Sequence, residues 1–194
     1  MGAKFERSRL TPINDQGHAR NLLFYVIGQS AHHGAAQDFA HEANCIHDLV
    51  GARTIGPWLA ARVRERLPRV TRDQVLAPLG IDRFDEQHGL DVEATCAAFA
   101  LSSLAGRSAE VVAARRAAAA VAGSTPTEAL ARALGVDERT ALRCRRAPVD
   151  AIAVRALRRQ LGLRVALSAV GTSSRAAGVR DDAVCDGAGF TYKH

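Results

Sequence analysis

Apolar residues along this chain recur at the helical period in one segment after another. Leu22, Leu23, Val26 and Ile27 fall at mixed three- and four-residue spacing, which predicts a helix from about Asn14. His32, His33 and Gly34 break that pattern. Phe39, Ala43, Ile46 and Val50 then place a second helix over about 35 to 50, closed by Gly51. A third fits 56 to 67, with Pro57 in its first turn and Pro68 as its stop. A short helix capped by Thr71 is expected over 71 to 80, and a longer one from Asp91 to near Gly106. SAEVVAARRAAAAVA predicts an alanine-rich helix over 108 to 122, ended by Gly123, and VDAIAVRALRRQLG another over 149 to 162. Residues 166 to 194 turn rich in Gly, Ser and Asp without a helical period, so they are expected to form an extended tail.

Composition agrees with an all-α fold. Aromatics are only 5% of the chain and alanine is very frequent, so the core is expected to be Leu, Val and Ala. Alanine and leucine favour closely packed helices and fill sheets poorly. No apolar run reaches the roughly 18 residues of a membrane span. MGAKFERSRLTPIND lacks the apolar core of a secretory signal. A cytoplasmic protein without membrane contact is the expectation. Cys45, Cys96, Cys144 and Cys185 form no CxxC pair, which predicts free thiols, two or three of them buried.

Charge divides the chain. Residues 1 to 104 carry 11 Lys/Arg against 12 Asp/Glu, whereas 105 to 194 carry 15 against 8. Within 139 to 164 there are eight arginines and one acid, Asp150. A basic segment joined to a neutral one is the footprint of a chain that meets a polyanion with one part only.

That segment overlaps TPTEALARALGVDERTALRCRRAP, residues 125 to 148. Thr125 is placed to cap a helix, with Pro126 at its first position and Glu128 completing a T-x-x-E capping box. Leu130, Ala131 and Leu134 form the buried face, and Gly135 supplies the left-handed turn. Asp137 caps a second helix whose inward positions are Ala141 and Cys144, with Leu142 as a further candidate. Two short helices joined by a tight glycine turn form a helix-turn-helix.

On these residues, and on the helices either side, the segment from about 107 to 165 resembles the lambda-repressor-like (XRE-type) DNA-binding domains. Asp137 and Glu138 depart from the small polar residues usual there. The resemblance implies that the second helix lies in the major groove of double-stranded DNA. It puts Glu138, Arg139, Thr140 and Arg143 within reach of bases, and Arg132, Arg145 and Arg146 near phosphates. Thr127 would add a backbone contact through its hydroxyl. Three segments are therefore expected: a helical domain over 1–105 for dimerisation or a protein partner, the DNA-binding domain over 107–165, and the tail over 166–194. The implied function is a transcriptional regulator of phage or plasmid type, acting as a homodimer without catalysis or cofactor. A helical subunit of a nucleoprotein assembly, binding DNA or RNA through a basic face, is the alternative.

Two other constellations carry chemistry. His32, His33, His41, Cys45 and His47 include a pair four residues apart that would share a helix face, but they lack the paired spacings of a structural zinc site. ANCIHDLVG, with His18 upstream, resembles the His-Asp motif of the metal-dependent HD phosphohydrolases, without a matching third motif. Partly exposed histidines and a salt-bridging Asp48 are the competing expectations. Trp58 is expected to anchor a core or an interface.

Overall fold

Three short polar side chains start three of the helices. Asp91, Ser108 and Asp137 adopt extended backbone and accept hydrogen bonds from the N–H groups of Ala94, Val111 and Thr140. Each bond satisfies a donor that has no partner within its own first turn. The computed structural model describes residues 13, 15–32, 45–54, 61–62, 65–67, 70–82 and 85–176, and all regular structure among them is helical. In chain order the helices are α1 (Gln16–His32), α2 (Ile46–Leu49), α3 (Arg72–Leu76), α4 (Val92–Phe99), α5 (Ala109–Val121), α6 (Thr127–Leu134), α7 (Glu138–Arg146) and α8 (Ala151–Ala176). A 3₁₀ turn at Ala77–Leu79 follows α3.

The all-α expectation holds, with four local corrections. The helix begun by Asp91 stops at Phe99 and does not reach Gly106, because Ala100 takes a left-handed φ of 50°. The Leu101 N–H then returns to the Cys96 carbonyl, and Thr54 donates from both its N–H and its hydroxyl to Ala98. Carbonyls that would have extended the helix are thereby taken. The Thr125 box does not form. Its hydroxyl donates to the Ala122 carbonyl, Pro126 occupies the cap position, and Glu128 pairs with Arg132 instead. Leu142 is not a core residue and stays 37% exposed. Finally, the helix placed over 149 to 162 runs on to Ala176, so residues 166–176 are helical and not an extended tail. Most of the helices expected over 35 to 50 and 56 to 67, together with Trp58, Cys185 and residues 177–194, lie outside the described residues.

Two apolar clusters hold the described chain. One joins Ala94, Ala98 and Phe99 of α4 to Ala114, Ala117 and Val121 of α5, Leu130 and Leu134 of α6, Ala141 and Cys144 of α7, and Leu157 and Leu161 of α8. The other gathers Ile27, Ile46, Val50, Val75, Leu76 and Leu79 around Leu163, with Ala166, Leu167 and Val170 against it. A boundary at residue 105 would cut through the first cluster. Helix α8 belongs to both: Ala153, Leu157 and Leu161, spaced four apart, serve the first, and Leu163, Ala166, Leu167 and Val170 the second. At the crossover, the segment 85–93 lies against α8. Gln87 donates its N–H to the Arg158 carbonyl at 3.0 Å, Arg159 pairs with Glu86, and Arg164 pairs with Asp91 and Glu93.

Between α6 and α7, Gly135 has φ +63° and nothing within 4 Å of the position a Cβ would take. A side chain there meets no neighbour, so any penalty comes from the backbone alone. Gly135→Val is expected to lose about 1 kcal/mol or more in thermal or urea melts, with Gly135→Asn losing clearly less. Equal melting of parent and valine variant would show that the turn is not left-handed.

Candidate nucleic-acid interface

Helix α7 has one buried side, formed by Ala141 and Cys144, because small side chains let it approach α5 and α6 closely. Arg139, Leu142, Arg143 and Arg146 fall at the i, i+3, i+4, i+7 spacing of a single stripe and are all exposed. Arg139 and Arg146 stand at its centre, and among the described residues neither has a carboxylate partner. Glu138 is exposed beside them at the start of the helix.

Three of the four remaining residues singled out by sequence have side-chain partners within the fold. The Thr140 hydroxyl donates to Asp137 at 2.8 Å and accepts from Arg143 at 2.9 Å, so it builds the start of the helix. Arg145 turns inward and donates to the Thr125 carbonyl at 2.6 Å, tying the end of α7 to the entrance of α6. Arg132 is exposed but bonded to Glu128 at 2.6 Å across one helical turn. Thr127 is the first residue of α6 and half-buried. The arginine run also splits by partner: Arg159 and Arg164 clamp residues 86 to 93, whereas Arg139, Arg143 and Arg146 of α7 and Arg155 of α8 are exposed.

Asp137 sets the geometry of this helix. Hydrogen bonds from the Thr140 hydroxyl and backbone N–H hold its carboxyl below the usual carboxylate range, with the Arg143 charge adding to them. A depressed folded-state pKa means that the stabilisation is present above the ordinary Asp range and fades as pH falls through the lowered value. Asp137→Ala is therefore expected to be less stable than the parent at neutral pH, with the gap closing under acid. A pH series of melting temperatures for both proteins checks this; a gap independent of pH would remove the cap from the account.

Sequence reasoning overlooked the edge of α7 that faces α5. There a groove of 530 Å³ is lined by Arg107, Arg115 and Arg116 together with Asp137, Thr140 and Arg143. The available signal was the Arg-Arg pair interrupting an alanine helix, one turn of which comes to lie beside α7.

The histidine cluster is not assembled as a metal centre within the described residues, where no three His, Cys, Asp or Glu side chains converge. His47 is buried with its Nδ1 3.0 Å from Gln160 Oε1, Cys45 is exposed, and Asp48 bonds Arg53 at 3.2 Å. The His33 and His41 positions lie outside the described residues. No helix among the described residues is long and apolar enough to cross a membrane. No family model, curated protein or solved structure matches this chain.

Proposed function

We propose that the chain is a sequence-specific binder of double-stranded DNA, acting as a transcriptional regulator, with α7 as its reading helix. The observation that carries this is the exposed stripe of Arg139, Leu142, Arg143 and Arg146 on a helix whose opposite side is fixed by Ala141 and Cys144. Unpaired guanidinium groups near a helix start can bind guanine O6 and N7 bidentately, and a carboxylate such as Glu138 can accept from cytosine N4. Leu142 is suited to the methyl group of thymine, which explains an apolar side chain left in water among arginines. Arg146, one turn further along, suits a phosphate. Half-sites are usually read in pairs, so the protein acts as a homodimer in this reading.

Selection of bound fragments from random duplex DNA tests it. A recurring short motif, footprinted by the pure protein, is the expected result. Enrichment of no motif, with salt-sensitive binding to every duplex, would replace the regulator by a subunit of a nucleoprotein assembly.

A further inference from the structure

The groove between α5 and α7 concentrates charge that the fold does not use. Arg107, Arg115, Arg116 and Arg143 line it against a single carboxylate, Asp137. That carboxylate already accepts two hydrogen bonds from Thr140. Arg115 donates to the Gly106 carbonyl at 3.1 Å and so fixes the loop that carries Arg107. Arg107 and Arg116 are exposed and, among the described residues, have no ion-pair partner. Like charges brought together in a concavity repel one another, and the same concavity focuses their field on an incoming anion. Every cation here is an arginine, whose planar fork matches phosphate oxygens in pairs.

We propose that this groove is a phosphate-binding site, with Arg107 and Arg116 as its primary contacts and Arg143 closing it from α7. The source of the phosphate rests on the DNA reading above. A helix lying in the major groove has its edges towards the sugar-phosphate strands, and this groove runs along one such edge. The backbone strand flanking α7 is then its occupant, and Arg143 sits where base reading and phosphate anchoring meet. A volume of 530 Å³ also admits a free phosphate compound.

The test uses the full chain, the double variant Arg107→Gln/Arg116→Gln, and Arg155→Gln as a comparison on the exposed surface of α8. Pyrophosphate and a polyglutamate peptide are titrated at low salt, and binding to the selected duplex is followed over a salt series. The double variant is expected to bind pyrophosphate at least roughly tenfold more weakly than the parent. Its salt dependence on DNA should fall by about two units, since each phosphate contact contributes about 0.9. Arg155→Gln should resemble the parent in both. Loss of pyrophosphate affinity in a protein that binds no duplex would support the groove with a free phosphate compound as its ligand, while defeating the DNA reading. A reduced salt slope without pyrophosphate binding would support the backbone strand alone. The proposal is overturned if the double variant changes neither measurement beyond Arg155→Gln, or if polyglutamate binds the parent as tightly as pyrophosphate.

Discussion

Gly162→Ala is expected to destabilise the protein by about 2 kcal/mol or more, the opposite sign to the usual effect of this exchange. In an exposed helix, replacing glycine by alanine stabilises by about 1 kcal/mol, because glycine has the larger backbone entropy to lose. Gly162 lies inside α8, where a Cβ would overlap the carbonyl of Asp85. The obstacle is backbone, and it has little room to withdraw. Gln87 is bonded to the Arg158 carbonyl, Glu86 to Arg159, and Asp91 to Arg164, so both sides of the contact are pinned to the same helix. Overfilling a packed contact typically loses about 1–3 kcal/mol, and an overlap with a pinned backbone carbonyl belongs at or above the upper end. That leaves about 2 kcal/mol once the helical gain is set against it. For a chain of this length the melting temperature should drop by roughly 4–8 °C. A variant that melts at or above the parent would mean that the segment 85–88 does not lie on α8.

The second large effect concerns recognition. Arg139→Ala is expected to lose roughly 1–3 kcal/mol of affinity on the selected duplex and little on scrambled DNA. Arg139 is the sharper choice than Arg143, whose guanidinium also bonds Thr140. Arg146→Ala should weaken both duplexes alike and lower the salt slope by about one unit. Measuring both variants on both duplexes at two or more salt concentrations separates the roles. Equal losses across all four combinations would mean that α7 supplies charge without reading sequence, and unchanged affinity throughout would take it off DNA altogether.

Distance along the chain explains which of these features the sequence alone carries. The starts at Thr71, Asp91, Ser108 and Asp137, and the turn at Gly135, depend on side chains within three residues of the backbone they serve, so local sequence carries them. The buried faces of α6 and α7 were legible for the same reason: Leu130, Ala131 and Leu134, then Ala141 and Cys144, keep the helical period. The end of α4 was not, because it is set by Ala100 and by Thr54, a residue 44 positions away from the carbonyl it binds. The reach of α8 was hidden for a related reason. Gly162 reads as a stop in sequence, yet it is required within the helix by the close passage of Asp85, and Leu163, Ala166, Leu167 and Val170 find their cluster only in three dimensions.

The arginines show the same divide. Sequence alone established their number and their concentration after residue 138. Only the tertiary structure distributed them: Arg145 to the Thr125 carbonyl, Arg159 and Arg164 to acids on the segment 86–93, and Arg139 and Arg146 to solvent. It also brought Arg107 and Arg116, more than twenty positions upstream, beside Arg143. Charge is a property of composition, whereas the partner that consumes it or leaves it free is fixed by contacts distant in the chain.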